Sequence, residues 1–363
     1  MRVLAISNYR SYHTVRPEAH IFMGLAKMGV EVFIATYGDS KINEEFKEAG
    51  IHLIDFHPEK KFDKEEIAKI RSLIIDYKID IIHLFNSYAI INGIQAAKGL
   101  NVKVVLYRGF TGHIHWYDPS LYFKYFHPRV DQIQCNAQGI KDLFDRNTLF
   151  GKKKTTAINK GHDLAWYKDY EPYDIRSELG LDNDAFLAVN IANNRKMKGI
   201  PYLLQAFKYI PQEYNIHLII AGRDMDTPEN LKIIEETHSE DRVHLLGFRE
   251  NVLNIELSCD TFVLSSLYGE SITKSVIEAM ALGIPPIITD IPGNKELAVN
   301  GESGLVVPKK DPKALADAMI KLYQNPEMKE EMGKKAKEHI AGPLNTKTTV
   351  KKVFEMYQKL LSE

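Results

Sequence analysis

Residues 260–296 read DTFVLSSLYGESITKSVIEAMALGIPPIITDIPGNKE, and they contain a strand, a polar turn, a helix and a second strand in succession. Residues 262–264 form an apolar run typical of a buried strand, and residues 273–282 carry apolar side chains at helical spacing. This order is typical of a parallel sheet covered by helices. The polar turn at 269–273 leaves backbone N–H groups beside the positive end of the helix dipole, where a phosphate can bind.

Two acidic residues accompany this turn. Glu270 lies on the turn and Glu278 lies in the helix, eight residues later. Because two carboxylates repel a bare phosphate, we expect them to bind hydroxyl groups on either side of it, as a nucleotide sugar provides. The alternative is that Glu270 is a solvated loop acid and that Glu278 is a surface acid paired with Lys274.

The spacing Glu270-x7-Glu278, followed by Gly283-x-Pro285, resembles the E-x7-E signature of retaining glycosyltransferases of the GT-B fold, especially family 4. The resemblance implies two Rossmann-like α/β domains, each with a doubly wound parallel sheet, that face each other across a cleft. It also implies that Glu270 holds the transferred sugar and that Glu278 holds the ribose of the donor. Further donor contacts are implied for Ser271, Ile272 and Thr273.

A cationic loop follows the strand predicted at 186–191. Arg195 and Lys198 are three residues apart and can converge on one diphosphate. The pattern Asn-x-Arg-x-x-Lys-Gly resembles a family 4 variant in which the arginine and the lysine hold the donor diphosphate, so we assign both a catalytic role. The commoner family spacing would place the arginine at Asn193, Lys196 is a competing cation, and a solvated basic loop is the alternative. The resemblance also implies that the segment with Phe248 and Arg249 contacts the nucleobase.

The N-terminal half alternates short apolar segments with amphipathic helices. The predicted strands lie at 3–6, 31–35, 52–54, 79–84, 103–106 and 132–135. Strands separated by helices predict a second parallel, doubly wound sheet. We therefore predict a first domain at 1–170 and, after a linker at 170–173, a second at 171–343. The resemblance implies that the first binds the acceptor, that the second binds the nucleotide sugar, and that a C-terminal helix at 344–363 crosses back to the first domain.

Three residues of this half are candidate acceptor or sugar contacts. Arg108 and His113 lie in the irregular aromatic segment 107–119, and Arg108 stands where family 4 enzymes often have a histidine. A guanidinium suits an anionic group on donor or acceptor, and the alternative is that Arg108 pairs with Asp118. His83 ends a predicted buried strand, and its alternative is a structural role.

Composition restricts the partners. Lysine and arginine number 47 against 48 acidic residues, which gives no electrostatic reason to expect nucleic acid as a partner. The two cysteines, Cys135 and Cys259, lack the spacing of a disulfide framework or a zinc site. No apolar stretch approaches 18 residues, so we expect a cytoplasmic or peripheral protein. The three lysines at 152–154 are a candidate contact to the inner face of a membrane, and a solvated surface loop is the favoured alternative.

The leading hypothesis is a retaining, metal-independent glycosyltransferase without a cofactor. It would move a sugar from a nucleotide-diphosphate donor to a glycan, a lipid-linked or a small-molecule acceptor. The first alternative is a nucleotide-sugar epimerase or hydrolase of the same fold. The second is a non-catalytic module that binds sugar nucleotides.

Overall fold

The structure, a computed structural model, describes residues 1–112, 114–148, 154–294 and 296–363. It divides into two compact units, Met1–Gly161 with Leu344–Glu363 and His162–Pro343. The boundary precedes the linker predicted at 170–173, because that segment is hydrogen-bonded within the second unit. The Asn254 amide donates to the Glu171 carbonyl at 2.7 Å, and the Tyr173 N–H donates to the Asn254 carbonyl at 3.0 Å.

The first unit is built on a parallel sheet. Its seven strands within the described residues are β1 Arg2–Ile6, β2 Glu31–Thr36, β3 His52–Asp55, β4 Ile81–Leu84, β5 Lys103–Arg108, β6 Gln132–Cys135 and β7 Thr155–Ala157. They lie in the order β3-β2-β1-β4-β5-β6-β7. The short edge strand β7 was not predicted, because its Thr-Thr-Ala sequence lacks an apolar run.

Helices cover this sheet. They are α1 Tyr12–Lys27, α2 Asn43–Glu48, α3 Lys64–Asp76, α4 Ser87–Ala96, α5 Pro119–Tyr122 and α6 Gln138–Asn147. The last helix of the chain, which spans Thr346–Ser362, also packs here, against α1. Its Val350, Val353 and Leu360 are part of the first unit's core, so the apolar stripe of this helix explains why the chain returns.

The second unit repeats the architecture. Its six strands within the described residues are β8 Phe186–Ile191, β9 Ile216–Ala221, β10 Val243–Gly247, β11 Thr261–Leu264, β12 Pro286–Thr289 and β13 Leu305–Val307. All pair in parallel, in the order β10-β9-β8-β11-β12-β13. The helices are α7 Ile175–Leu179, α8 Ile200–Gln205, α9 Pro228–Glu236, α10 Val252–Leu257, α11 Lys274–Leu282, α12 Pro312–Gln324 and α13 Pro326–Ala341; the helix at Thr346–Ser362 is therefore α14.

Both sheets confirm the predicted fold class of two doubly wound α/β domains. In each sheet the strand order reverses direction once, between β1 and β4 in the first unit and between β8 and β11 in the second. Ligands of open parallel sheets bind outside the carboxyl ends of the strands at such a reversal. The loops that follow β8 and β11 are therefore the first place to look for a site.

Within the described residues, none of the helices has the length and apolarity needed to cross a membrane.

Candidate functional site

The reversal point of the second sheet brings the two predicted site segments together. The loop 192–199 follows β8, and the turn 265–273 follows β11. The Leu267 N–H donates to the Met197 carbonyl at 2.7 Å, and the Ser265 hydroxyl donates to the Lys198 carbonyl at 2.9 Å. Hydrogen bonds thus hold together two segments that are far apart in sequence.

Gly199 permits this approach. Its φ is +65°, in the left-handed region, and a Cβ atom there would lie 2.3 Å from the Ser265 carbonyl oxygen. Any larger residue would push the cationic loop away from the turn. The Lys-Gly pair of the sequence pattern therefore has a physical reason, since the glycine places Lys198 beside the turn.

Lys198 and Glu270 form an ion pair that is largely buried. The Lys198 Nζ lies 2.6 Å from the Glu270 Oε1, and the Ser266 hydroxyl donates to the same oxygen at 3.0 Å. The side chains are only 16% and 12% exposed. Glu270 is therefore not a solvated loop acid, and Lys198 is not part of a solvated basic loop.

The other cations of the loop differ from Lys198. Arg195 and Lys196 are both exposed. Arg195 begins the short 3-10 turn Lys196–Lys198 without capping it through its side chain. The Asn193 side-chain oxygen accepts from the Arg223 N–H at 3.2 Å, so Asn193 links two loops of the sheet edge. Lys198 is thus the cation of this loop that is fixed in a buried contact.

The N-terminus of α11 lies at the end of the turn. Thr273 is its N-cap, but the Thr273 side chain makes no capping hydrogen bond. Its hydroxyl is buried and has no hydrogen-bond partner within the part of the chain that the structure describes. A Cβ on Gly293 would lie 2.1 Å from the Ser271 carbonyl oxygen and 2.3 Å from the Glu270 carbonyl oxygen. The backbone of the loop after β12 therefore packs directly against the backbone of the turn. Ile272 completes the turn and is partly exposed.

Glu278 lies in the middle of α11 and forms an i,i+4 ion pair with Lys274. This is the pair expected from the alternative interpretation, in which Glu278 is a surface acid of the helix. The Glu278 side chain is, however, only 12% exposed, whereas that of Lys274 is 40% exposed. Glu278 is therefore a largely enclosed carboxylate whose partner, Lys274, is considerably more exposed.

A third acid beside this pair was missed in the sequence. Glu256 of α10 is fully buried, and neither carboxylate oxygen has a hydrogen-bond partner among the described residues. Burial, and then the charge of Glu278, raise the pKa of Glu256 well above its ordinary value of 4.5. The sequence signal that could have revealed this buried acid is its position between Ile255 and Leu257 in an apolar stretch.

We expect Glu256→Gln to change how folding stability depends on pH. Because the folded pKa is raised, the folded protein holds a proton that the unfolded chain loses, so the contribution of Glu256 to stability falls as pH rises above about 4.5. Glutamine has the same shape and no such proton. The unfolding free energy of the variant should therefore gain on wild type by up to about 1.4 kcal/mol per pH unit in that range.

Chemical denaturation at a series of pH values measures this difference. Glu235→Gln, at an exposed position of α9, is the matched control. A gap between Glu256→Gln and wild type that stays constant with pH would contradict the buried, protonated carboxyl.

Phe248 and Arg249 line a cavity of about 210 Å³ at the ends of β8, β9 and β10. Phe248 is 59% exposed, and the Arg223 guanidinium lies 4.9 Å from its ring centroid. Arg249 makes a bidentate pair with Glu178, at 2.7 and 3.1 Å. The Arg249 guanidinium, followed by Tyr173, lowers the pKa of Glu178 to about 2. Arg249 is thus held by a carboxylate of its own unit. Phe248 is the exposed aromatic side chain of the cavity lining.

The candidate acceptor contacts belong to the first unit. The Arg108 Nε donates to the Phe110 carbonyl at 2.8 Å, its Nη2 donates to the Gly112 carbonyl, and the guanidinium lies 5.1 Å from the Tyr125 ring centroid. Arg108 therefore holds its own loop in place through two backbone carbonyls. His113 lies outside the described residues.

His83 is not accessible to a sugar. It is 1% exposed, and its Nδ1 lies 2.6 Å from the Tyr357 hydroxyl. Burial, and then the charge of Lys160, lower the pKa of His83 to about 3, so the ring is neutral at pH 7. The predicted sugar contact is not supported, because β4 carries this residue under α14 rather than to the sheet edge.

The first unit also contains a buried ion pair that the sequence did not reveal. The Lys160 Nζ lies 2.6 Å from the Glu18 Oε2 and 4.2 Å from the Tyr107 ring centroid. Burial acts to lower the pKa of Lys160, but Glu18 and Tyr107 together raise it, so the ammonium stays charged. Partners 142 residues apart leave no local pattern to detect.

Comparison with known families gives the class of the protein. Residues 19–166 match the model of Glycosyltransferase Family 4, and residues 173–339 match that of Glycosyl transferases group 1. Each match lies largely within one structural unit, and the gap between the matches falls shortly after the unit boundary. Together with the fold, they identify the chain as a glycosyltransferase of the GT-B fold.

Solved structures and curated relatives agree with this class. A glycosyltransferase from Rickettsia africae ESF-5 matches with a TM-score of 0.82 and 16% identity, over 100% of this chain and 99% of that one. Anabaena Alr3699/HepE in complex with UDP gives 0.80 and 17%, over 99% and 100%.

Two curated relatives are enzymes named for their products or substrates. One is the N-acetyl-alpha-D-glucosaminyl L-malate synthase of Bacillus anthracis, which is 25% identical over 93% of this chain and 92% of that protein. Another is the UDP-Gal:alpha-D-GlcNAc-diphosphoundecaprenol alpha-1,3-galactosyltransferase of Escherichia coli, which is 25% identical over 81% and 79%.

Proposed function

We propose that this protein transfers a sugar, with retention of anomeric configuration, from a nucleotide-diphosphate donor to a glycan, a lipid-linked or a small-molecule acceptor. The observation that carries the proposal is the contact of 2.6 Å between the Lys198 Nζ and the Glu270 Oε1. It joins a cation suited to the leaving diphosphate and a carboxylate suited to sugar hydroxyls at the reversal point of one sheet.

Stabilisation of the leaving group is the main source of catalysis in this proposal. As the bond from the sugar to the diphosphate breaks, negative charge grows on the phosphate oxygens. Lys198, Arg195 and the uncapped N-terminus of α11 supply positive charge for it. Glu270 accepts hydrogen bonds from the sugar, and neither it nor Glu278 acts as a covalent nucleophile. No metal or cofactor takes part in this mechanism.

The nucleoside end of the donor is assigned to the other side of the turn. Glu278 accepts hydrogen bonds from the ribose hydroxyls, and the cavity beside Phe248 takes the base. A uridine nucleotide as donor is supported by the structural neighbour Alr3699/HepE, whose complexes hold UDP and UDP-glucose. An extended acceptor is supported by the E. coli relative, whose name specifies a sugar on diphosphoundecaprenol.

Incubation of the purified protein with a panel of nucleotide sugars, with and without acceptors, tests the proposal. Acceptor-dependent release of nucleoside diphosphate, with a product whose anomeric configuration by NMR equals that of the donor, is the expected result. Release or epimerisation without an acceptor would favour the epimerase or hydrolase alternative. Binding of the nucleotide without any turnover would favour the non-catalytic module.

We expect transfer activity to survive chelation by EDTA. The physical reason is that Lys198 and Arg195 stand where a metal-dependent transferase uses a divalent ion to balance the diphosphate charge. Initial rates in EDTA and in added Mn²⁺ should agree. Loss of activity in EDTA that Mn²⁺ restores would overturn the role given to the two cations.

A further inference from the structure

A cavity of about 580 Å³ lies in the first unit, at the amino ends of β5, β6 and β7 and beside the second half of α14. Arg108, the candidate acceptor contact, is the last residue of β5. Because the strands are parallel, the cavity is at the opposite edge of the same sheet. Its volume is typical of small-molecule sites, which measure about 300–1,000 Å³. Nothing in the chemistry proposed above uses this cavity.

Four lysines line the cavity on two walls. Lys103 begins β5 and Lys154 immediately precedes β7, so both belong to the sheet wall. Lys352 and Lys359 belong to the helix wall. They are seven residues apart on α14, which puts them on one face of the helix and about 10 Å apart along its axis.

Three of these lysines have no anionic partner. Within the part of the chain that the structure describes, Lys103, Lys352 and Lys359 take part in no ion pair. Like charges in one cavity repel each other, and a bound anion removes this repulsion. The cavity is therefore suited to an anionic ligand rather than to a neutral one.

Lys154 is fixed at the cavity wall by the backbone. Its Nζ donates to the Pro128 carbonyl at 3.2 Å and to the Val130 carbonyl, and neither contact cancels its charge. Of the three lysines predicted as a candidate membrane contact, Lys152 and Lys153 lie outside the described residues. Lys154 thus adds a positioned positive charge at the start of β7.

The acids of the lining do not cancel this charge. Asp131 is paired with Arg129 at 2.8 Å, and Glu355 lies 3.9 Å from Lys351. Neither of these two cations lines the cavity. Glu363 is the third acid of the lining and is exposed. With the partners of the first two acids included, six cations face three acids, and a cleft with such an excess attracts anions.

The uncharged part of the lining indicates the class of anion. Gln132, Thr155 and Thr156 provide amide and hydroxyl groups, and Met356 and Leu360 provide apolar surface. Sugar hydroxyls and a carbon skeleton fit this mixture. The described residues of the lining include no aromatic side chain on which a nucleobase would stack.

We propose that this cavity binds a sugar that carries two phosphate groups. The spacing of Lys352 and Lys359 suits two separate phosphates, and lysine is a common phosphate ligand that acts as a point charge. Such a ligand would join α14 to the edge strand β7 and would stabilise the folded first unit by mass action. The inference goes beyond the proposed function, because this ligand is neither the donor nor the acceptor.

Calorimetric titration of the full chain with fructose 1,6-bisphosphate tests the cavity, with fructose as the uncharged control. We expect the bisphosphate to bind, more weakly at high salt, and fructose not to bind. Lys352→Gln/Lys359→Gln should weaken binding by about tenfold or more, because each lysine supplies a charge-assisted contact. Lys27→Gln/Lys347→Gln is the matched control and should bind like wild type. It removes two exposed lysines of the same unit that do not line the cavity.

Hydrogen exchange shows where the bisphosphate binds. We expect slower exchange in β7 and in the second half of α14, and unchanged exchange in the loop 192–199 of the donor site. Lys198→Ala, in that loop, should keep the wild-type affinity for the bisphosphate. Titration with nucleoside diphosphates reports separately on the donor site, and a failure there would affect the proposed function alone.

Several results would overturn the inference. They are wild-type protein that does not bind the bisphosphate, fructose that binds equally well, and equal losses of affinity in the two double variants. Weaker binding by Lys198→Ala, with wild-type affinity in Lys352→Gln/Lys359→Gln, would also overturn it, because the ligand would then occupy the donor site. All four positions of the double variants are exposed, so melting curves close to that of wild type are expected for both.

Discussion

The Lys198→Ala variant is expected to lose turnover by roughly 30- to 1,000-fold, while its affinity for the donor falls much less. This range corresponds to about 2–4 kcal/mol, the usual effect of removing one preorganised electrostatic donor from a transition state. Lys198 is fixed by Glu270 and by its glycine neighbour, so it is in place before charge develops. The measurements are kcat and the donor dissociation constant for each variant.

The same loop supplies a second test variant and two control variants. Arg195→Ala should show the same pattern as Lys198→Ala, because Arg195 is the second cation assigned to the diphosphate. Lys196→Ala removes an exposed cation that lacks the buried contact of Lys198, and Asn193→Ala tests the commoner family spacing. A larger rate loss for Lys196→Ala than for Lys198→Ala would show that the loop has been assigned in the wrong register. Normal turnover in the Arg195→Ala/Lys198→Ala double variant would overturn the leaving-group mechanism.

The fold could be predicted from the sequence because most strands of the two sheets are short, apolar and followed by a helix. Local signals are also present, such as the Asp-Pro pair at the start of α12, where the Asp311 carboxylate accepts from the Ala314 N–H at 3.0 Å. The edge strand β7 and the unit boundary could not be predicted in the same way. Both depend on hydrogen bonds to distant segments, such as those between Tyr173 and Asn254.

The candidate site could be predicted in its residue types but not in its contacts. The spacing of Glu270 and Glu278 indicated two related carboxylates, yet nothing local showed that Glu270 is bonded to Lys198, 72 residues earlier. His83 shows the opposite case. A histidine at the end of a strand suggested a ligand contact, whereas the covering helix α14 carries Tyr357 from the other end of the chain to bond it. The role of a polar residue depends on what covers it.

Glu270→Ala and Glu278→Ala are expected to fail in different ways. Sugar contacts change as the sugar leaves the diphosphate, so Glu270→Ala should lower kcat more than donor affinity. Ribose contacts are the same in donor, transition state and product, so Glu278→Ala should weaken nucleotide binding by about 10- to 150-fold with a smaller change in kcat. That range follows from about 1.5–3 kcal/mol for a hydrogen bond to a charged group.

The ion pair of Glu278 with Lys274 makes this prediction sharper. If the carboxylate only completes a helix surface pair, then Lys274→Ala and Glu278→Ala should behave alike, because either change breaks the same contact. If Glu278 binds ribose, Lys274→Ala frees the carboxylate and nucleotide affinity is kept or improved, while Glu278→Ala loses it. Calorimetric titration with the nucleoside diphosphate, with melting curves to verify folding, separates the two. Equal losses for Glu270→Ala and Glu278→Ala, together with unfolding of both variants, would assign the two acids to structure rather than to the donor.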